Sequence, residues 1–182
     1  SGAFLSLMAD DMLNEIVVEQ GNKEVNIVLN KMRNKIIESL VDEDTTADKS
    51  DRVQISLINL DKKNHKLEFA GAHQNLYILR KGKVLETKGN TFPLGKVDGA
   101  QEDFDSHSID LNKGDIIFLT TDGYLTQSGS DQTSLSNEGF KRCLEANGSL
   151  SFSDLRDSIL EDRFVQLDSD NNRPVFYCAE DD

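Results

Sequence analysis

A carboxylate that follows a buried strand is the feature of this sequence with the clearest chemical potential. The apolar run Ile116–Leu119 leads into Thr120-Thr121-Asp122-Gly123-Tyr124. Because the run comes after Lys113-Gly114-Asp115, it predicts a turn followed by a short buried strand, which would place the Asp122 side chain at a sheet edge. Carboxylate oxygens suit a hard divalent cation, and Gly123 allows close backbone approach to a ligand. Asp-Gly is also an ordinary turn signal, and on these residues alone the turn is the preferred interpretation.

Three motifs upstream of this strand bear on the interpretation of Asp122. Ala70-Gly71-Ala72-His73 precedes an aromatic and aliphatic run, and Lys81-Gly82-Lys83 follows that run as a hairpin turn. Phe92-Pro93-Leu94-Gly95 comes next. In this order, and ahead of the Gly-Asp and Thr-Asp-Gly motifs just described, they resemble the bacterial metal-dependent protein phosphatases of the PPM type. The resemblance is to the branch of the stage II sporulation protein E.

The two ends of the sequence extend the resemblance over essentially the whole chain. Residues 2–8 resemble the helix that follows the family's Asp-x-x-Gly-His-Gly loop, and Asp181-Asp182 resembles the start of its final Asp-Asp motif. The resemblance implies a single PPM-type phosphatase-like domain over residues 1–182, lacking its first strands and metal motifs and its last strand. It implies an α+β fold of two packed antiparallel β-sheets flanked by helices, an α-β-β-α sandwich.

The chemistry implied by the resemblance is metal-assisted hydrolysis of phosphoserine or phosphothreonine in a protein. Two Mn²⁺ or Mg²⁺ ions would hold a bridging water, lower its pKa and offset charge on the phosphoryl oxygens. No covalent nucleophile is needed, so no catalytic residue is assigned apart from the metal ligands. The ligands carried over are Asp122 and Asp181, with Asp182 as the alternative if the register differs by one residue. Without the resemblance, a frayed acidic C-terminus is the preferred interpretation of Asp181-Asp182.

Three residues near the predicted site are assigned to structure and not to chemistry. A neutral histidine such as His73 can bind a metal or a substrate. The equivalent position in the resembled family is structural, however, so a core or hydrogen-bonding role is favoured. Gly71 and Gly95 are interpreted as backbone positions, because the sequence has no Gly-x-x-x-x-Gly-Lys phosphate loop.

The sequence also departs from the family pattern. Gln54 stands where related sequences commonly have Asp, and Thr126 and Gln127 stand where an acidic residue often follows the Asp-Gly motif. The family's earlier Gly-Asp and Asp-x-x-Gly-His-Gly blocks should precede Gly2. Because two cations need several compensating carboxylates, the 182-residue chain by itself is expected to be inactive.

Apolar spacing predicts the elements that must hold the site. Residues 2–19 and 23–40 show helical spacing, and near residue 50 the period changes to two. Strands are predicted at 53–60, 66–72, 75–80, 84–87 and 116–121. Helices are predicted at 137–146 and 152–167, with Ser151 or Ser153 as the N-cap of the second. Antiparallel strands with the helices 2–19 and 23–40 packed over them agree with an α+β class.

Composition excludes several classes of function. The formal charge of −13 argues against sequence-independent nucleic-acid binding and against an anionic membrane surface. No run approaches the about 18 continuous apolar residues of a membrane span, and no signal-peptide pattern is present. Cys143 and Cys178 form no disulfide framework and no zinc motif. A cytoplasmic location is therefore expected, including as the cytoplasmic part of a larger membrane-bound sensor.

Two classes of function stay open at this point. The first is a phosphoserine/phosphothreonine protein phosphatase that serves as the output module of a bacterial signalling protein. Its partners would be an upstream sensor domain and a phosphorylated protein such as an anti-sigma-factor antagonist. The second is a non-catalytic phosphatase-like module that binds a phosphorylated regulator.

Overall fold

The computed structural model describes residues 2–41, 53–95, 102–121, 125, 136–161 and 175–178. Within these residues the chain forms four α-helices, one π-helical segment and seven strands. The helices are α1 (Gly2–Leu13), α2 (Val25–Val41), α3 (Ser136–Ala146) and α4 (Phe152–Glu161). The strands are β1 (Ile55–Asp61), β2 (Lys66–Ala72), β3 (Leu76–Arg80), β4 (Lys83–Thr87), β5 (His107–Asp110), β6 (Ile116–Leu119) and β7 (Val175–Cys178).

The chain divides into two compact units, and every pair of strands in both is antiparallel. The first unit consists of Ser1–Gln74 and Lys88–Asp110, and the second of Asn75–Thr87 and Leu111–Asp182. The expected α+β class, with two antiparallel sheets and accompanying helices, is confirmed. Among the described residues, no helix combines the length and the apolar character needed to span a membrane.

The first unit contains a three-stranded sheet in the order β1-β2-β5. Ile55 pairs with Ala72 and Asp61 with Lys66, so β1 and β2 form a hairpin over their full length. Ala70 and Ala72 contribute to a buried apolar cluster together with residues of α2 and the π-helical segment. The predicted packing of the first two helices over antiparallel strands is confirmed here. The helical residues buried in this cluster are Ile16, Val25, Val28, Leu29, Met32 and Ile36.

The first predicted helix changes its winding before it ends. Beyond Leu13 it continues as a π-helix, Asn14–Glu19, and the backbone N–H of Gln20 donates to the carbonyl of Glu15 at 3.0 Å. Gly21 then takes a positive φ of 69°, which suits glycine and ends the helix. The prediction of a helix over residues 2–19 is correct in extent, but apolar spacing did not indicate the wider turn.

The second unit contains a four-stranded sheet in the order β4-β3-β6-β7, with β3 and β6 at its centre. All four residues of Leu76–Leu79 are buried, because both faces of β3 are covered. Helices α3 and α4 supply apolar side chains to a cluster that includes alternate residues of β3 and β6. The cluster consists of Tyr77, Leu79, Ile116, Phe118, Phe140, Leu144, Leu155 and Ile159.

The structure contains two strands that the sequence did not predict, β5 and β7. In β5, His107-Ser108-Ile109-Asp110 has only one aliphatic residue, so its period-two signal is weak. It is a strand because it pairs with β2, where Phe69 lies opposite His107 and the two rings stack at 6.1 Å. The serine cap, in contrast, was predicted: Ser151 Oγ accepts a hydrogen bond from the N–H of Asp154 at 3.2 Å.

Candidate metal centre

The turn before β6 is closed by a buried carboxylate. Gly114 takes a φ of 83°, and the N–H of Asp115 donates to the carbonyl of Asn112 at 3.0 Å. The Asp115 carboxylate accepts the N–H of Asn112 at 2.8 Å and also binds the guanidinium of Arg80. Asp115 is therefore a structural residue that fixes the start of β6, and both Asn112 and Arg80 bind its carboxylate. It lies at the start of the strand, whereas Asp122 follows the end of the strand.

At its other end, β6 passes from the core to the surface within two residues. Phe118 is fully buried, Thr120 is 5% exposed, and Thr121 is exposed. The hydroxyl of Thr120 donates to the carbonyl of Thr121 at 3.2 Å. The predicted strand 116–121 is thus confirmed as a buried central strand, Ile116–Leu119, whose end approaches solvent immediately before Asp122.

The three predicted metal ligands, Asp122, Asp181 and Asp182, lie outside the described residues. Their assignment, and the expectation that Asp122 lies close to one of the other two, therefore stay predictions. The described residues contain no group of three or more His, Cys, Asp or Glu side chains that could hold a metal ion. In chemical terms the donors that the sequence offers fit the implied ions, because Mn²⁺ and Mg²⁺ prefer carboxylate oxygen.

The register of β7 bears on the geometry of this centre. Leu119 pairs with Val175, so the start of β7 lies beside the end of β6. Cys178 pairs with Ile116, so the end of β7 lies beside the start of β6. The end of β6, which precedes Asp122, and the end of β7, which precedes Asp181, therefore lie at opposite ends of the paired strands.

A polar network joins α3 and β4 to Asn75, the residue before β3, close to the end of the sheet where β6 ends. The carboxylate of Glu86 binds Lys141 Nζ through Oε2 at 2.9 Å and accepts from Asn75 Nδ2 through Oε1 at 2.9 Å. Lys141 also binds Glu138 at 2.5 Å. These hydrogen bonds to Glu138 and Glu86 raise the pKa of Lys141 above its usual range. Beside them, burial raises the pKa of Tyr77.

Sequence reasoning missed this network, although β4 carried a signal for it. In a strand, alternate side chains share a face, so Glu86 lies on the same face as Val84. Val84 packs against the apolar cluster of the second unit, whereas Leu85 is 44% exposed. A carboxylate on the core-facing side of a strand indicates a buried partner, and Lys141 is that partner.

In the first unit, the Ala-Gly-Ala-His motif forms a close backbone crossing. The N–H of His73 donates to the carbonyl of Asn90 at 2.9 Å, and the N–H of Asn90 donates to the carbonyl of Gly71 at 2.8 Å. A Cβ on Gly71 would overlap the backbone oxygen of Gln74, so the expected backbone role of Gly71 is confirmed. His73 itself is exposed and has a φ of 57°. His73 contributes to the crossing through its backbone hydrogen bond, and the prediction of a core role for its side chain is wrong.

Gln54, the residue that departs from the family pattern, is engaged with another amide. Gln74 Nε2 donates to Gln54 Oε1 at 2.7 Å, and Gln74 is 7% exposed. Both side chains are neutral. Gln54 therefore contributes a hydrogen bond between two amide side chains in the first unit, and it supplies no negative charge to a metal site.

Comparison with known proteins agrees with the family resemblance seen in the sequence. The family model described as Stage II sporulation protein E (SpoIIE) matches residues 1–169. The SiaA-PP2C domain of Pseudomonas aeruginosa superposes with a TM-score of 0.74 at 20% identity, covering 97% of this chain and 70% of that one. No curated protein sequence matches significantly.

Two further solved structures share the fold. The PP2C phosphatase domain with a fragment of the regulatory domain of SpoIIE from Bacillus subtilis has a TM-score of 0.65 at 18% identity, covering 90% of this chain and 46% of that one. The RsbU and RsbW domains of Rv1364c from Mycobacterium tuberculosis give 0.63 at 18% identity, covering 86% and 41%. At these identities the superpositions establish the fold and leave the activity to be argued from the residues.

Proposed function

Because this chain belongs to the stage II sporulation protein E family of PPM-type phosphatase domains, we propose that it is a metal-dependent phosphoserine/phosphothreonine protein phosphatase module. The observation that carries the proposal is the position of the Thr-Asp-Gly motif. It begins two residues after the end of β6, a central strand of the second sheet, and the chain reaches solvent at Thr121. A carboxylate placed there follows a rigid element, which is what a metal ligand needs.

The residues of the chain have separate parts in this mechanism. Asp122 would hold Mn²⁺ or Mg²⁺, which when bound supply an activated water and offset the charge on the phosphoryl group. Asp181, or Asp182 if the register differs by one residue, is the other predicted ligand, although β7 ends beside the start of β6 and not beside the strand end that precedes Asp122. Arg80 and Asp115 fix the start of β6, and the apolar cluster around Phe118 fixes its middle. No side chain is required to form a covalent intermediate, so the work of the protein is positioning and charge compensation.

The proposed substrate is a phosphorylated protein such as an anti-sigma-factor antagonist, and the module would act as the output of an upstream sensor domain in the cytoplasm. The net charge of −13 supports a protein partner over a nucleic acid, because a nucleic-acid backbone needs a basic footprint.

A non-catalytic module that binds a phosphorylated regulator is the second candidate, and Gln54 favours it. The amide of Gln54 is paired with Gln74, where related sequences commonly have a carboxylate. A site that lacks ligand charge binds divalent ions less tightly, since each carboxylate compensates part of the cation charge.

Hydrolysis of a phosphoserine peptide by the full-length protein, with and without Mn²⁺, tests the proposal. Asp122→Asn should remove most metal-dependent turnover and leave the fold intact, because it deletes a charge but keeps the volume. Asp110→Asn is the matched control, since that side chain is 86% exposed on β5. A folded protein that binds the phosphopeptide but does not hydrolyse it would support the binding module instead.

A further inference from the structure

The outer edge of β4 is followed by one face of α3. β4 is the first strand in the order β4-β3-β6-β7, so among the described residues it has a neighbouring strand on one side only. Such an edge offers backbone N–H and C=O groups to another strand. Lys141 of α3 binds the Glu86 carboxylate at 2.9 Å. Glu145 of α3 contacts Val84 and Lys83, so the helix follows the edge along most of the strand.

The spacing of residues on the two elements allows both contacts to form at once. Lys141 and Glu145 are four residues apart, so they lie on the same side of α3, about 6 Å apart along its axis. Val84 and Glu86 are two residues apart in a strand, which corresponds to about 6.7 Å. Because these two distances are similar, α3 can reach both ends of the edge without bending.

Glu145 binds the backbone of β4 as well as a side chain. The N–H of Val84 donates to Glu145 Oε1 at 3.0 Å. In an antiparallel pair, residues whose backbone groups bind the partner strand alternate with residues whose groups point away from it. Val84 lies opposite Leu79 of β3, but its N–H is directed to α3, so Val84 and Glu86 are the outward-facing positions. The Glu145 carboxylate therefore occupies a donor that a further strand would need.

We propose that Glu145 keeps the β4 edge closed to a further strand, and that the strand it excludes is β4 of a second copy of this chain. Two β4 strands paired antiparallel about Leu85 would place Val84 of each copy opposite Glu86 of the other, which are the outward-facing positions. Leu85 would face Leu85 of the second copy, and it is a large apolar residue that is 44% exposed. The inference uses no metal ligand, so it is independent of the proposed function.

Sedimentation of the full-length protein over a range of concentrations tests the inference. Glu145→Ala should strengthen self-association by about tenfold relative to the unsubstituted protein, because one backbone donor in each copy becomes available for a hydrogen bond. Glu145→Gln should leave self-association unchanged, since its amide oxygen still accepts from Val84. Lys83→Met is the matched control, because it removes the 3.8 Å ion pair with Glu145 and keeps the hydrogen bond to the backbone.

A second substitution identifies the strand that Glu145 excludes. Leu85→Lys, added to Glu145→Ala, should return self-association to the level of the unsubstituted protein. The reason is that two lysines would face each other across the paired strands, and like charges in that position are destabilising. Leu85→Lys alone should have no effect, because the edge is then still closed by Glu145.

The outcomes separate the parts of this inference. Unchanged self-association in folded Glu145→Ala overturns it, and so does an equal increase in Glu145→Gln or Lys83→Met. If Leu85→Lys fails to reverse the effect of Glu145→Ala, the excluded strand is not β4 of a second copy, and the inference is wrong. If Glu145→Ala does not fold, Glu145→Met takes its place with the same expected results, because Met keeps the length of the side chain without the carboxylate.

Discussion

Arg80 and Asp115 form a bidentate ion pair that joins the end of β3 to the turn before β6. Arg80 Nε lies 2.9 and 3.1 Å from the two carboxylate oxygens, and Nη2 lies 2.6 Å from one of them. Asp115 is 1% exposed and Arg80 is 25% exposed at the side chain. Since a buried carboxylate is costly without a partner, the pair fixes the position at which β6 begins.

Removing the cation from this pair should be strongly destabilising. Arg80→Met should lower the free energy of unfolding by about 3–5 kcal/mol, because it leaves the carboxylate of Asp115 buried without its counter-charge. Lys66→Met is the control: its pair with Asp110 is 4.0 Å long and exposed, and its loss should cost at most about 1 kcal/mol. Urea unfolding of both variants gives the comparison. Equal losses would contradict the structural role of Asp115.

A methyl group on Gly71 should be poorly tolerated. An added Cβ would overlap the backbone oxygen of Gln74 and lie 2.8 Å from Phe69 Cζ and 3.1 Å from Gly89 Cα. Gly71→Ala should therefore cost about 3 kcal/mol, as over-packing does. Gly114→Ala has open space around its Cβ and only a positive φ against it, so about 1 kcal/mol is expected. Thermal unfolding should rank the two in this order, and the reverse ranking would exclude the close crossing at Gly71.

Alkaline pH should destabilise the second unit. The pKa of Tyr77 is raised by burial, and that of Lys141 is raised by its hydrogen bonds to Glu138 and Glu86. Both groups hold their protons more tightly in the folded state, so their contribution is complete below their unfolded pKa values, about 10.0 and 10.4, and is lost above them. The contribution of these two groups to the unfolding free energy should stay constant from about pH 7 to 9 and should fall above about pH 10.

Tyr77→Phe isolates one part of this alkaline effect. The variant has no phenol to ionise, so its stability should fall less steeply above about pH 10 than that of the unsubstituted protein. Urea unfolding at several alkaline pH values measures both slopes. Parallel curves for the two proteins would show that Tyr77 does not contribute.

The order and type of the main elements could be predicted because they depend on local pattern. The change of apolar period near residue 50 separated helices from strands, and β2 was predicted with its observed bounds, Lys66–Ala72. The β3–β4 hairpin also has a local cause: Lys81 and Gly82 take φ values of 50° and 75°, and Gly82 meets that demand without steric cost. No strand was predicted at β5, because the alternation of apolar and polar residues there is weak.

For the candidate site, the sequence determined the residue types, and the resemblance determined which of them matter. Asp122 was identified from an apolar strand followed by Thr-Asp-Gly, and the structure confirms the strand that leads to it. The roles of Asp115, Glu86 and Lys141 were not predictable in this way. Glu86 and Lys141 are 55 residues apart in sequence, and nothing in the spacing of the two charges indicates that they meet.

The sequence by itself determined the α+β class, the positions of most helices and strands and the chemical character of the candidate ligands, because these follow from periodicity and side-chain type. Only the tertiary structure decided the order β4-β3-β6-β7, the pairing of Arg80 with Asp115 and the contact between Lys141 and Glu86. The physical reason is that strand order and buried charge pairing depend on which distant segments are brought together. That choice is made by the summed burial of apolar surface over the whole domain, and no short window of sequence contains it.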